Sequence, residues 1–268
     1  MRKVLEASII VLTLVCLLVS AANAGQVMDR ILKKGQLNVG ITGTQPPLNM
    51  KDKNGRMMGL DANLAEMIAG NMNVTVNFIT MPFSQLLPAL ESGKVDMVIS
   101  SMTMTPKRNL KVAFVGPYYI SGKGILTKYD KIAALQDPTG LNNPNFKVAT
   151  LRDSTSQMFV ERAAPKAKLL TTKEYKEAVS LLIDGKIDAV VADFPFCAFS
   201  ALRHKSKGLI AGQAPLTFEP LGIAIPEDPL FINWMQNFLG VLDGTGQMKA
   251  MAQRWFQDGR WMKDLPAE

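Results

Sequence analysis

One stretch of this 268-residue chain occurs twice in nearly the same form. Residues 89–100 read Ala-Leu-Glu-Ser-Gly-Lys-Val-Asp-Met-Val-Ile-Ser, and residues 181–192 read Leu-Leu-Ile-Asp-Gly-Lys-Ile-Asp-Ala-Val-Val-Ala. In each, a helix-like pattern ends at a glycine, Gly93 or Gly185, turns through a lysine and enters an apolar run. Glycine adopts the left-handed conformation that stops a helix without steric cost. A short apolar run bounded by turn residues suits a buried strand. One such unit in each half predicts two similar α/β units, with Leu37–Gly43 and Phe146–Leu151 as the matching first strands. Open α/β sheets bind ligands beyond the carboxyl ends of their strands. Two such edges facing each other make a cleft.

The rest of the chain fits this alternation. Leu37–Ile41 suits a strand, Lys51–Gly55 a polar hairpin turn with an Asn-Gly pair, and Val74–Ile79 a second strand. Asp61 can cap a helix that runs through Leu64, Met67 and Ile68. Phe83–Leu90 suits a further helix and Val95–Ile99 a buried strand. Ser121-Gly-Lys-Gly124 suits a flexible connector into a second lobe, and the chain returns near Leu216–Gly222. The terminal segment Gln247–Trp261 is amphipathic, with Met248, Met251, Trp255 and Phe256 on its apolar side.

The first residues suit an export signal. Arg2 and Lys3 precede an apolar run from Ala7 to Val19, and Ala22-Asn-Ala24 forms a small-x-small cleavage site. Cleavage after Ala24 predicts a periplasmic protein. Of the two cysteines, Cys16 falls in this segment, so the remaining Cys197 has no partner for an internal disulfide. Its apolar surroundings, Phe194–Phe199, suit packing. Although the formal charge is +7, the basic residues are scattered and often adjoin acids, as in Lys173–Glu177. They form no basic stripe interleaved with aromatics, which argues against a nucleic-acid partner. The only histidine, His204, sits in Arg203-His-Lys-Ser-Lys207, the pattern of a solvated helix end. The sequence offers no metal-ligand cluster, phosphate loop or nucleophile–base pair, so neither a metal nor a cofactor is expected.

Ser100–Arg108 carries the most chemistry. It follows a predicted buried strand and opens a short helix, with Pro106 suited to the first turn. Hydroxyls and free backbone N–H groups at such a terminus attract anions, and Arg108 adds a planar fork for a carboxylate. The same segment can also be an ordinary capped turn with a surface arginine. Asp153–Gln157 places Ser154 and Thr155 at another such turn. Asp193 ends the second repeat strand, where a carboxylate suits an ammonium group.

Taken in order, these segments resemble the solute-binding proteins of family 3, the polar amino-acid-binding components of bacterial ABC importers. The resemblance covers Leu37 to Trp255. It is carried by Gly59-Leu-Asp61, Leu86–Leu90, Ser92–Asp96, Met102–Arg108, Phe114 with Pro117–Tyr119, and Ile187–Asp193. It implies an α/β, type II periplasmic-binding fold, two lobes joined by a two-strand hinge. Lobe 1 would comprise residues 25–121 and 219–268, and lobe 2 residues 122–218, after a signal peptide at 1–24. It implies that Arg108 binds a ligand carboxylate with Ser101 and Thr103, that Thr155 helps from lobe 2, that Asp193 binds the α-ammonium, and that Phe83 packs on the side chain. Gln45 and Ser154 complete the expected site.

The chain also departs from the family. Many members carry an acidic residue and then an aromatic before the proline that follows the first strand, whereas this chain has Thr42 and Gln45, followed by Leu48. The partner for a cationic side chain is missing, which argues against a basic amino acid as ligand. Asp153 stands where glycine is frequent, and Gly116 where aspartate is common. The expected function is therefore capture of a small amino acid or related zwitterion for an ABC transporter permease, by a monomer that is not an enzyme. Two alternatives share the fold: a cyclohexadienyl (prephenate or arogenate) dehydratase, for which Lys123 could donate a proton, and a sensor module.

Overall fold

The computed structural model describes residues 25–135 and 138–267; the predicted signal peptide lies outside the described residues. The described chain forms two five-stranded sheets. In the first, the strands are β1 (Gln36–Ile41), β5 (Thr75–Thr80), β6 (Met97–Val98), β7 (Ala113–Ser121) and β13 (Glu219–Ile225), in the order β5-β1-β6-β13-β7. In the second they are β8 (Lys123–Thr127), β9 (Lys147–Leu151), β10 (Lys168–Thr172), β11 (Ala189–Asp193) and β12 (Ile210–Ala211), in the order β10-β9-β11-β8-β12. Each sheet begins with three parallel strands and continues with an antiparallel one. The duplicated sequence explains the match. Its two strands, β6 and β11, take the same third place, beside the predicted first strands β1 and β9.

Both repeat glycines have left-handed backbones, with φ 71° at Gly93 and 68° at Gly185. The helices before them, Phe83–Glu91 and Tyr175–Ile183, bury Leu86 and Leu90 in one case and Ala178 and Leu182 in the other. Fully burying a leucine stabilises the fold by about 1.5–3 kcal/mol. One apolar cluster joins Phe83 and Leu86 to Leu126, Ala149, Tyr175 and Phe196, so the two lobes are in contact.

The predicted hairpin forms from β3 (Asn49–Lys51) and β4 (Met57–Met58), which with β2 (Thr44–Gln45) make a third, three-stranded sheet. Asp61 does not cap its helix. The helix is Leu60–Asn71, its N-cap is Gly59, and Asp61 lies in the first turn with its side chain turned into the core. The helical pattern through Leu64 and Ile68 gave the right element, but a carboxylate in the first turn can equally serve a tertiary partner.

Two strands carry the chain between sheets. β7 runs to Ser121 and β8 starts at Lys123; on return, β13 starts at Glu219, which pairs with Ser121. A Cβ at Gly122 would stand 2.3 Å from the carbonyl oxygen of Thr217, so the crossing segments touch where any side chain would separate them. The C-terminal helix Gln247–Phe256 buries Met251 and Trp255 as its pattern predicts. Beyond it, the 3₁₀ turn Gly259–Asp264 reaches the second lobe: Trp261 stacks on Phe199 at 5.6 Å, and Arg203 donates to the carbonyl of Pro266. The N–H of Lys53 donates to the carbonyl of Asp264 at 2.8 Å, fixing the same strap to the hairpin. Cys197 is buried and His204 ends the helix Phe194–Arg203 half-buried. Among the described residues, no helix is long and apolar enough to cross a membrane.

Candidate ligand-binding cleft

The segment after β6 places its residues by backbone shape. Ser101 has φ 53°, a conformation uncommon outside glycine. Its N–H donates to Asp61 Oδ2 at 2.9 Å. Asp61 also accepts from Tyr118 Oη at 2.8 Å and Asn49 Nδ2 at 2.8 Å. Burial pushes the Asp61 carboxyl up to about 6, although all three donors pull the other way. Asn49 in turn accepts from Thr42 Oγ1 at 2.7 Å, and Gln45 Nε2 donates to Thr42 Oγ1 at 3.3 Å. Ser101 and Gln45 thus have their side chains in the network beneath the cleft.

Thr105 then caps the helix Pro106–Asn109 by accepting from the N–H of Arg108, with Pro106 in the first turn as predicted. Arg108 is aimed across the cleft. Its Nη1 donates to the carbonyl of Thr103 at 2.8 Å, and its Nη2 to the carbonyl of Asp153 in the other lobe at 3.2 Å. The guanidinium lies 5.4 Å from the centre of the Phe83 ring, a cation–π contact. Burial lowers the Arg108 pKa, while Glu219 and Asp193 draw it back up.

From the second lobe, Ser154 caps the helix Thr155–Ala163, accepting from the N–H of Gln157 and donating to the carbonyl of Leu151 at 2.6 Å. Its hydroxyl is occupied by the turn. Thr155 Oγ1 is 3.1 Å from Thr103 Oγ1, a direct hydrogen bond between lobes. Asp193 ends β11 and is buried.

The ammonium that Asp193 meets is the protein's own. Lys123 Nζ lies 2.7 Å from Asp193 Oδ1 and 3.4 Å from Glu219 Oε2, and Lys123 is 2% exposed. Glu219 Oε2 accepts from Thr103 Oγ1 at 2.7 Å, and Oε1 from Thr217 at 3.2 Å. Burial raises the Asp193 pKa, an effect that Lys123 only partly offsets. At Glu219 burial also pushes upward, but Lys123 and the hydroxyls of Thr103, Thr155 and Thr217 outweigh it and hold the carboxyl below its usual range.

The structure therefore brings together Arg108, Thr103, Thr155, Phe83 and Asp193, with Ser154 at the adjoining turn. It adds Lys123, which the sequence placed in a flexible connector and named only as a possible proton donor, and Glu219, which no local pattern marks. Glu219 heads the returning strand, so the predicted return near Leu216–Gly222 was the one available signal for it. Two cations and two carboxylates meet where the lobes touch. That arrangement can hold both ends of a zwitterion by charge-assisted hydrogen bonds. At the rim, a cavity of about 250 Å³ is lined from both lobes, by Thr42, Lys51 and Thr80 on one side and Lys173 and Glu174 on the other. Among the described residues, no group of three or more histidine, cysteine, aspartate or glutamate side chains could hold a metal ion.

Comparison with known proteins gives a consistent picture. The family described as bacterial extracellular solute-binding proteins, family 3, matches residues 37–258. The ABC transporter arginine-binding protein 1 of Escherichia coli is 26% identical over 82% of this chain and 90% of its own. The cyclohexadienyl dehydratase of Pseudomonas aeruginosa is 22% identical over 87% of both chains. Among solved structures, a putative ABC-transporter binding component from Wolinella succinogenes, complexed with lysine, is 33% identical and superposes with a TM-score of 0.81. It covers 86% of this chain and 99% of that one.

Proposed function

Because the chain belongs to the bacterial extracellular solute-binding proteins, family 3, we propose that its cleft captures a small α-amino acid or related zwitterion for delivery to an ABC importer. The carrying observation is that Arg108 and Asp193 approach one cleft from opposite lobes of a type II periplasmic-binding fold. In this reading Arg108 and Thr103 take the carboxylate from lobe 1, Thr155 assists from lobe 2, and Asp193 takes the ammonium. Phe83 packs against the side chain. Lobe 1 is residues 25–121 and 219–268, lobe 2 is 122–218, and the close approach of Gly122 to Thr217 supports that division. The protein acts as a monomer outside the cytoplasm, with its signal removed after Ala24; mass spectrometry of the exported protein tests the cleavage.

A thermal-shift screen of the mature protein against amino acids and small carboxylates identifies the ligand. Calorimetry then tests the site. Truncating one buried charged partner costs roughly 2–5 kcal/mol, a loss of about thirtyfold to several-thousandfold in affinity. Arg108→Ala and Asp193→Ala are each expected to lose at least that much while circular dichroism stays unchanged. Binding by both variants within about threefold of wild type would overturn the assignment.

A second reading is favoured by the dehydratase relative and by Lys123, a candidate acid in the cleft. Against it, Lys123 is held by two carboxylates, and Phe196, shortly after Asp193 where a second acid would be sought, is apolar and packed on Tyr175 at 4.7 Å. Incubation with prephenate or arogenate decides: release of a decarboxylated aromatic product would establish the enzyme.

A further inference from the structure

We infer that Lys123 is a specificity-determining residue, whose ammonium takes up the second carboxylate of the cleft and so excludes amino acids with cationic side chains. The inference rests on the cleft being an amino-acid site, as proposed above, and goes beyond it by naming the side-chain class.

The cleft holds two carboxylates, Asp193 and Glu219, and two cations, Arg108 and Lys123. An incoming α-amino acid brings one carboxylate, for Arg108, and one ammonium, for Asp193. Lys123 gives up its 2.7 Å contact with Asp193 but keeps Glu219, which it already touches at 3.4 Å. Every charge is then paired, and no anion is left for a cationic side chain. Such a side chain would lie unpaired in a partly dehydrated cleft beside a buried lysine, where like charges repel strongly. The rim reinforces this, because its cavity presents Lys51 and Lys173 against the single acid Glu174. At the end of β1, where a counter-charge could stand, Thr42 and Gln45 are hydrogen-bonded to each other. An arginine-binding protein and a structure complexed with lysine are among the similar proteins; the pairing predicts a different preference for this chain.

The experiment is calorimetry on the mature protein with alanine, serine and glutamine on one side and arginine, lysine and ornithine on the other. Wild type is expected to prefer the uncharged side chains. Lys123→Gln frees Glu219, and the ratio of neutral to cationic affinity is expected to fall by at least about tenfold. Lys123→Gln/Glu219→Gln removes the freed anion as well, and the wild-type preference is expected to return. A ratio that stays within about threefold of wild type in Lys123→Gln, or a double variant that still prefers arginine, would overturn the role of Lys123. If Lys123→Gln fails to fold, the wild type and the double variant decide: cationic and neutral ligands bound alike by either one overturns it. A wild type that binds no amino acid overturns instead the reading on which the inference rests.

Discussion

At the scale of single residues, Asp61 has the most consequence for how the cleft is built. It holds the N–H of Ser101, whose left-handed backbone starts the segment leading to Thr103 and Arg108. Its carboxyl is raised from 3.8 to about 6 by burial, so the folded state favours the neutral form. Between these two values the folded chain binds more protons at this site than the unfolded chain. Its contribution to stability is therefore greatest below about pH 4, declines as pH rises through about 6, and is constant above that. Relative to Asp61→Asn, which cannot titrate, wild type should lose up to about 3 kcal/mol over that window. Urea unfolding of both proteins at a series of pH values measures the difference; a difference that does not change with pH would show that the carboxyl does not titrate there. The sequence marked Asp61 as a cap, because local spacing carries no information about Tyr118, 57 positions away. Arg108, Thr155 and Asp193 could be picked out as candidates because they stand at the start of a helix or the end of a strand, whereas Thr103 lies between β6 and the next helix and was proposed from the resemblance. Lys123 and Glu219 were not legible as a pair, since only the crossing of two distant strands brings them together.

At the scale of elements, the duplicated unit made the two sheets readable, and caps made the helix starts readable. Ser154 shows both the power and the limit of such reading. The sequence placed it at a helix N-terminus facing the cleft, and it is the N-cap, but its hydroxyl is engaged on both sides by the turn. Ser154→Ala should cost about 1 kcal/mol, lowering Tm by roughly 2–4 °C, with a small effect on affinity. A large loss of affinity with unchanged Tm would make it a ligand contact instead. Gly122→Ala should destabilise more, because its Cβ would meet backbone at Thr217 and not a movable side chain. Differential scanning calorimetry of the two variants gives the order. The strand after the duplicated turn was predicted as Val95–Ile99 and forms only at Met97–Val98, where β6 pairs with β1 at two positions and with β13 at one.

At the scale of the whole molecule, the lobes meet through Thr103 with Thr155 and through Arg108 with the carbonyl of Asp153. A ligand that bridges the same groups should draw the lobes together about the crossing strands, as hinge closure does in binding proteins of this kind. Small-angle scattering should show a smaller radius of gyration at saturating ligand. An unchanged profile would argue against hinge motion, or show that the free protein is already closed through these same contacts.

The strap of residues 259–266 bears on that motion. Trp261 rests on Phe199 of the far lobe while Lys53 and Trp255 hold the same segment to the near one. It works as a spring in parallel with the pivot: any opening that parts Trp261 from Phe199 forfeits the ring stack, worth about 0.5–1.5 kcal/mol. If hinge opening parts this pair, that energy should bias the resting population toward the closed form from outside the cleft. Trp261→Ala should weaken binding by about two- to tenfold through the population of the closed form alone, and a lineage could retune its appetite for solute by editing the clasp and leaving the seat untouched.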